Sequence, residues 1–120
     1  MEVDILAIGV HPDDVEISAA GTLLAHIAMG KTAGIVDLTR GELGTRGTAQ
    51  TRDAEAAEAA KILGVSFRKN LEMADGFFTN DETHVRKVIQ VLRLHKPTIV
   101  LCNAIADRHP DHGRAAALIN

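Results

Sequence analysis

Two short segments of this chain combine residue types that bind metals with residue types that move protons. Residues 11–14 read His-Pro-Asp-Asp, and residues 109–112 read His-Pro-Asp-His. Zinc sites that perform chemistry typically take three protein ligands from His and carboxylate side chains and leave a fourth position open for water. Together the two segments supply such a ligand set and two further acid or base groups, which predicts a metal-dependent hydrolase.

The spacing within the first segment indicates how its polar side chains divide their roles. If Pro12 opens a helical turn, His11 and Asp14 project from one side of that turn and can share a metal. Asp13 then points elsewhere, free of the metal but near any water bound to it. A general base must stand at such a position.

The second segment supplies the remaining groups. His112 is the candidate third metal ligand, and His109, one turn earlier, faces the substrate and can donate a proton or stabilise an oxyanion. Asp111 is a candidate to hold an imidazole in the correct tautomer, as carboxylates near metal ligands commonly do. Zinc lowers the pKa of bound water to roughly 7 and polarises a carbonyl, so an amide becomes open to attack at neutral pH.

Each segment also has a simpler interpretation. Asp and His beside Pro after a strand often cap a helix or form a turn. For either segment alone, capping and chemistry are equally good explanations. Two such segments at one edge of a sheet favour chemistry.

The pattern of apolar residues predicts the fold that must bring the segments together. Apolar β-branched runs at residues 3–10, 32–38 and 98–102 alternate with segments of helical period, and Phe67 lies in a short third strand. The runs are apolar on both faces, as in a covered parallel sheet. We therefore expect a three-layer, Rossmann-like α/β fold with a mainly parallel sheet.

Helical spacing and stop signals place the helices. Apolar or small residues recur at helical spacing within 20–27, 56–63 and 85–92, and residues 113–119 look like the opening of a further helix. Gly30, Gly64 and the pair at 96–97 are the predicted stops, and Asn80 is a candidate N-cap.

This arrangement predicts where a ligand binds. In open α/β sheets ligands bind outside the carboxyl ends of the strands. Residues 11–14 follow the first predicted strand and residues 109–112 follow the fourth, so both segments should emerge at the same edge.

The loop at residues 40–48 follows the second predicted strand and reads as a binding loop. Arg40, Arg46 and Arg52 offer forked donors to a carboxylate or phosphate on the substrate. The loop matches neither the dinucleotide fingerprint nor the P-loop pattern, which argues against nucleotide binding. Asp75 follows the third strand, where it either hydrogen-bonds a sugar hydroxyl or simply forms a turn.

The composition and charge of the chain limit the classes of partner that it can bind. The chain has 120 residues, which fits one domain, and 13 basic residues stand against 16 acidic ones, without Trp or Tyr. This argues against nucleic acid, and no apolar run reaches the roughly 20 residues of a membrane span. We therefore expect a small-molecule substrate and a cytoplasmic location. Cys102 is expected to be a buried small hydrophobe, and surface or packing roles are expected for the other histidines, which are His26, His84 and His95.

The end of the chain is a further observation. Residues 115–120 have helical composition but neither a glycine stop nor a polar tail. We therefore expect residues 1–120 to form a single domain that is incomplete at its carboxyl terminus.

These motifs resemble a known family. The segments Gly-Val-His-Pro-Asp-Asp-Val-Glu at 9–16 and Asp-Arg-His-Pro-Asp-His at 107–112 are similar to those of the LmbE-like, or PIG-L, zinc-dependent N-deacetylases. The segments at 38–47, 52–56 and 70–76 resemble the branch that makes bacillithiol. The resemblance covers most of the chain, although family members are considerably longer.

The resemblance implies roles that agree with those argued from the residues. It implies that His11, Asp14 and His112 bind one zinc and that Asp13 is the general base. It also implies that His109, supported by Asp111, stabilises or protonates the tetrahedral intermediate.

For the substrate, the resemblance implies deacetylation of N-acetylglucosaminyl malate, with Arg52 as the substrate-contacting arginine, and it implies a homo-oligomer. Two alternatives stay open. One keeps the fold and metal but acts on another acetylated amino sugar or a thiol conjugate. The other is a metal-free binding module or inactive fragment. The identity of the metal also stays open between zinc and another divalent ion.

Overall fold

Strands and helices alternate along the whole chain, as the apolar pattern predicts. The computed structural model describes residues 1–44, 47–103 and 109–120. Its elements, in chain order, are β1 (Ile5–Gly9), α1 (Asp14–Ala28), β2 (Ala33–Thr39), α2 (Ala49–Leu63), β3 (Phe67–Met73), α3 (Glu82–His95), β4 (Ile99–Leu101) and α4 (Pro110–Ile119).

The four strands form one parallel sheet in the order β3-β2-β1-β4. Ile5 of β1 lies opposite Ala33 of β2 on one side and Ile99 of β4 on the other. The chain moves outward from β1 to β3, and α3 then leads back to the other side of β1. Strand order therefore reverses between β1 and β4, and this is the point where open α/β sheets bind ligands.

Helices cover both faces of the sheet, so the predicted three-layer fold is confirmed. One apolar cluster joins Leu6 and Ile8 of β1 to Val88 of α3 and Leu118 of α4. The other cluster contains the alternate strand residues, which point to the opposite face of the sheet. It joins Ile5 and Ala7 of β1 to Leu23 of α1 and Leu63 of α2, and Leu23 is completely buried. Because β1 and β2 are buried throughout, they form the rigid centre from which the site loops extend.

Three helices begin earlier than their apolar periodicity predicts. Periodicity begins near residues 20, 56 and 113, whereas α1 begins at Asp14, α2 at Ala49 and α4 at Pro110. The first turns of α1 and α4 hold the polar residues of the two motifs, so an apolar pattern cannot detect them. The predicted stop at Gly64 is confirmed, since this residue is left-handed with φ of 79°.

The predicted N-cap of α3 is wrong by one residue. Asp81, not Asn80, occupies the cap, and its carboxylate accepts the backbone N–H of His84 at 3.0 Å. Both residue types are good caps, so the sequence alone could not separate them.

β3 is a full strand of seven residues rather than a short one. Because β3 is rich in polar residues, the apolar pattern did not indicate its full length. Arg68, one of these polar residues, finds its hydrogen-bond acceptors within the protein. The guanidinium of Arg68 donates to Asp37 of β2 at 2.7 and 3.0 Å and to Glu16 of α1 at 3.0 and 3.1 Å. This ion cluster fastens the first turns of α1 to the sheet.

The prediction that Cys102 is buried is wrong, because this residue is exposed. β4 has only three residues and stands at one end of the strand order, and Ile99 and Val100 are partly exposed as well. An apolar run predicts a strand but does not show whether another element covers it.

The remaining histidines have the surface and packing roles that were predicted. His26 bonds to a carbonyl of its own helix and His84 to the cap residue Asp81, whereas His95 is buried and contacts Lys69. Within the described parts of the chain, no helix is both long and apolar enough to cross a membrane.

Candidate metal centre and substrate pocket

The loop between β1 and α1 fixes the carboxylate of Asp14 with main-chain donors. Oδ2 of Asp14 accepts the N–H groups of Val10 and His11, both at 3.1 Å. The N–H of Asp14 donates in turn to the carbonyl of His11 at 3.1 Å, which closes a tight turn over residues 11–14. His11 and Asp14 therefore lie on one side of a turn, as their spacing predicts.

Asp13 stands at the N-cap position of α1 without acting as a cap. Its side chain makes no capping hydrogen bond, and its backbone has φ of 140°, a conformation that side-chain-bearing residues rarely adopt. Such strain costs on the order of 1–3 kcal/mol and clusters at functional sites. The capping interpretation of this segment is therefore wrong for Asp13.

Three donor atoms from the two motifs converge. Oδ2 of Asp14 lies 3.7 Å from Nδ1 of His11 and 3.2 Å from Nε2 of His112. The three residues each offer one donor atom within 4.8 Å of the others. Tetrahedral ligands at about 2.0–2.1 Å from zinc lie about 3.3 Å from one another, so this donor set and its spacing fit zinc.

A second group of donors overlaps the first. His11, His109 and Asp111 also lie within 4.8 Å of one another. However, the guanidinium of Arg114 donates to Oδ1 of Asp111 at 2.8 Å. A cation already placed on this carboxylate opposes a second one by electrostatic repulsion, so the group that contains Asp14 is the better metal site.

His109 caps α4 through its Nδ1. Its Nδ1 accepts the backbone N–H of Asp111 at 3.1 Å. A neutral imidazole whose Nδ1 accepts must carry its proton on Nε2, which makes Nε2 a donor. The ring stacks on His112 with centroids 5.0 Å apart. Capping and oxyanion stabilisation are thus compatible in this residue.

A cavity of about 310 Å³ opens beside these donors. His11, Asp13 and His109 of the two motifs line it, together with Arg52. The rest of the lining comes from two loops, with Gly41, Leu43 and Gly44 after β2 and Asp75 and Gly76 after β3. The pocket therefore brings the candidate base, the candidate oxyanion donor and a cationic side chain around one space.

Arg52 is held in the pocket by close packing against glycine. A Cβ built on Gly41 would lie 3.2 Å from the guanidinium, and one on Gly44 would overlap it. Among the described residues, Arg52 takes part in no salt bridge, whereas Arg40 is paired with Asp53 at 2.6 Å. Of Arg40 and Arg52, the two predicted arginines that the structure describes, Arg52 is therefore the one available to a ligand, and Arg46 lies outside the described residues.

The electrostatics of the pocket act on Asp13. Partial desolvation and the neighbouring carboxylate of Asp14 raise the pKa of the Asp13 carboxyl above its ordinary value, and Arg52 opposes them. A carboxylate with a raised pKa is a better proton acceptor, which is the direction a general base needs.

Asp75 lines the same cavity and also contacts the candidate metal ligand His11. Its Oδ1 is 2.8 Å from Nε2 of His11, and its Oδ2 accepts the N–H of Leu43 at 2.9 Å. Both oxygens thus have partners within the protein, and the contact with a sugar hydroxyl stays a prediction. The support of His109 by Asp111 also stays a prediction, because the carboxylate of Asp111 lies 3.2 Å from Nε2 of a different histidine, His11.

Comparison with protein families decides the relationship that the motifs suggest. Residues 6–120 match the family described as PIG-L: GlcNAc-PI de-N-acetylase. The chain belongs to the PIG-L family. The expected family is therefore confirmed. The match includes both motifs and all four strands except for Ile5, the first residue of β1.

Individual relatives of this PIG-L chain agree in sequence and in fold. The uncharacterized deacetylase YaiS of Escherichia coli K12 is 32% identical over 117 residues, which cover 90% of this chain. The conserved protein TT1542 of Thermus thermophilus is 45% identical and superposes with a TM-score of 0.91 over 97% of the chain.

Two solved enzymes share the fold. The N,N'-diacetylchitobiose deacetylase of Pyrococcus horikoshii is 29% identical with a TM-score of 0.88 over 95% of this chain. The 4-carboxy-2-hydroxymuconate hydratase GalB of Pseudomonas putida KT2440 is 26% identical with a TM-score of 0.86 over 99% of it. In length this PIG-L chain spans 61% of YaiS, 53% of TT1542, 46% of the chitobiose deacetylase and 54% of the hydratase.

Two features of the PIG-L site were missed by the sequence reasoning. Arg114 bonds to Asp111 and to the carbonyl of Gly76, and Gly76 in turn donates its N–H to Asp111 at 2.9 Å. The spacing of Asp111 and Arg114, one helical turn apart, was a usable signal. No sequence signal connects Gly76 to the second motif, because the contact depends on the fold.

Proposed function

We propose that this protein is a zinc-dependent N-deacetylase that removes the acetyl group from an N-acetylglucosamine conjugate, with N-acetylglucosaminyl malate, from the bacillithiol branch, as the substrate. The observation that carries the proposal is the convergence of His11, Asp14 and His112, with Asp13 and His109 beside them on the pocket wall. The similarity to YaiS and to the chitobiose deacetylase supports the same class of reaction.

The metal site would be formed by His11, Asp14 and His112. Zinc bound there would supply Lewis acidity toward water and toward the amide carbonyl. The carboxylate of Asp13 is outside this ligand set but lines the same pocket, so it is the group that accepts the proton of the attacking water.

Side chains of this protein would carry out the remaining proton transfer and stabilise the charge that develops on the substrate. As the water oxygen bonds to the amide carbon, negative charge develops on the carbonyl oxygen, and the Nε2–H of His109 is the donor for it. The proton held by Asp13 then passes to the amide nitrogen as the carbon–nitrogen bond breaks. The products are acetate and the free amine, so one water is consumed and no other reactant is needed.

Arg52 is the basis for the choice of substrate. It faces the cavity from the first turn of α2 and has no carboxylate partner among the described residues. A forked guanidinium binds carboxylates with two parallel hydrogen bonds, and malate supplies two carboxylates. The proposal also includes Arg46, from the loop sequence at residues 40–48, as a further substrate contact.

The test compares acetate release from N-acetylglucosaminyl malate and from N-acetylglucosamine, with wild-type protein and Arg52→Ala. We expect wild-type protein to prefer the malate conjugate and Arg52→Ala to raise KM for that conjugate alone. Equal effects of the substitution on both substrates would contradict the assigned role of Arg52. No acetate from any N-acetylated sugar would contradict the deacetylase itself.

The fold of the hydratase favours a second candidate, in which the same groups add water to a carbon–carbon double bond. Asp13 would again accept a proton from water as the water oxygen bonds to one alkene carbon, and it would return that proton to the other carbon, so no acetate would form. Loss of the ultraviolet absorbance of a conjugated unsaturated tricarboxylate such as 4-carboxy-2-hydroxymuconate, without acetate release from sugars, would favour this candidate over the deacetylase.

A further inference from the structure

The imidazole of His11 contacts carboxylates on the side that faces away from Asp14. Its Nδ1 faces Oδ2 of Asp14, while its Nε2 lies 2.8 Å from Oδ1 of Asp75 and 3.2 Å from Oδ2 of Asp111. An ionised carboxylate only accepts hydrogen bonds, so both contacts require the proton of a neutral His11 ring to be on Nε2. Nδ1 then keeps its lone pair.

Asp75 is held in this position by the loop at residues 41–44, called here the pocket loop, which contributes Gly41, Leu43 and Gly44 to the lining of the pocket. Its Oδ2 accepts the N–H of Leu43 at 2.9 Å, and its own N–H donates to the carboxylate of Glu42 at 3.0 Å. The side chain of Asp75 is only 8% exposed, so these bonds are shielded from water. One buried carboxylate thus joins the pocket loop to His11.

Asp111 is the weaker partner of the same imidazole. Its carboxylate already accepts from Arg114 at 2.8 Å and from the N–H of Gly76 at 2.9 Å, and its contact with His11 is the longer one. The positive charge of Arg114 also reduces the attraction of this carboxylate for a proton on His11. The orientation of His11 therefore depends chiefly on Asp75.

We infer that Asp75 is a positioning residue that holds His11 in the Nε2–H tautomer, so that Nδ1 presents its lone pair to the site shared with Asp14 and His112. Because Asp75 also bonds to Leu43, it couples the pocket loop to this ligand. The inference rests on the proposed metal site, since the presented lone pair matters only where a metal binds. Carboxylates in this position typically raise metal affinity or activity about 10–100-fold.

Asp75→Asn tests the inference with almost no change in side-chain volume. An amide has one oxygen and one NH₂ group, but Asp75 faces two donors, Nε2–H of His11 and N–H of Leu43. The variant can satisfy only one of them, and its NH₂ must face the other. If the NH₂ faces His11, the ring must accept at Nε2 and move its proton to Nδ1, which removes the lone pair from the metal side.

The experiment has two readouts. Nitrogen-15 NMR of metal-free protein, at a pH where His11 is neutral, reports its tautomer, and zinc titration with a competing chelator reports the affinity. Asp4→Asn is the matched control, because it makes the same change at the other end of β1, where Asp4 bonds to Thr32. We expect Nε2–H in wild-type protein and in Asp4→Asn, and a mixed or reversed tautomer with about 10–100-fold weaker zinc binding in Asp75→Asn.

The outcomes separate this inference from the proposed function. An Nδ1–H tautomer in wild-type protein overturns the role of Asp75 without any variant, so failure of Asp75→Asn to fold does not block the test. Unchanged tautomer and zinc affinity in folded Asp75→Asn overturn it as well. If wild-type protein shows the Nε2–H tautomer and Asp75→Asn loses it, but neither binds zinc, the role of Asp75 stands and the zinc enzyme fails.

Discussion

Oδ2 of Asp14 lies 3.2 Å from Nε2 of His112, although the two residues are near opposite ends of the chain. The topology of the sheet explains this contact. β1 and β4 are parallel neighbours, and Asp14 and His112 lie in the segments that follow their carboxyl ends. A donor pair that is remote in sequence is therefore assembled by two adjacent strands of one sheet.

Asp13→Ala should nearly abolish turnover while zinc stays bound. Asp13 lies on the pocket wall, but it is not one of the three converging donors. Loss of a general base typically costs about 10²–10⁴-fold in rate. Rate and metal content are measured on the same preparation, with Asp53→Ala as a control on the surface of α2. Loss of zinc from Asp13→Ala would show that this residue is a ligand instead.

Gly44→Ala should reproduce the effect of Arg52→Ala on a carboxylated substrate. A Cβ on Gly44 would overlap the guanidinium of Arg52, whereas a Cβ on Gly21 would meet nothing within 4 Å. We expect Gly44→Ala to raise KM for N-acetylglucosaminyl malate and Gly21→Ala to leave it unchanged. A KM for Gly44→Ala equal to that of wild-type protein would mean that Arg52 does not need its present position to bind substrate.

Arg68→Ala should destabilise the fold far more than Arg86→Ala. The Arg68 side chain is 7% exposed and leaves Asp37, which is 2% exposed, without its partner, whereas the pair of Arg86 and Glu82 is largely exposed. Breaking a buried pair from one side costs about 3–5 kcal/mol. An exposed pair contributes about 0–1 kcal/mol. Urea unfolding of both variants measures the difference, and similar free energies of unfolding would show that the buried cluster is not needed for stability.

Asp81→Asn should remove part of the acid sensitivity of the fold. Hydrogen bonds from Thr79 and from the N–H and ring of His84 lower the pKa of Asp81 from 3.8 to about 2. A carboxyl with a lowered folded pKa stabilises the fold above its unfolded pKa and loses this contribution as the pH falls toward the folded value. Between about pH 5 and pH 2, wild-type protein should therefore lose more stability than Asp81→Asn.

The variant is a sharp comparison because Asn is also a good N-cap and does not titrate. Asn lacks the contribution of the ionised carboxylate, so wild-type protein should be the more stable of the two at pH 7, and the difference between them should shrink as the pH falls toward 2. Parallel stability curves from pH 7 to pH 2 would contradict the pKa shift assigned to Asp81.

The sequence predicted the fold and the meeting of the motifs because both depend on patterns of short range. Apolar runs located the buried strands β1 and β2, and parallel connection then required residues 11–14 and 109–112 to share an edge. The contacts between Asp75 and His11 and between Arg68 and Asp37 were not predictable, since they depend on strand register and on loop closure. Cys102 was misjudged for a related reason, because an apolar segment does not reveal what covers it.

The metal content of the purified chain, measured by elemental mass spectrometry, tests the central claim most directly. No metal is added during purification, and His112→Ala is the matched variant because it removes one of the three converging donors. The account predicts about one zinc per chain in wild-type protein, in keeping with a three-ligand catalytic site, and its loss in His112→Ala. A wild-type chain that holds no metal even after reconstitution, or a variant that keeps its zinc, would contradict the account, and the first result would favour a metal-free binding module.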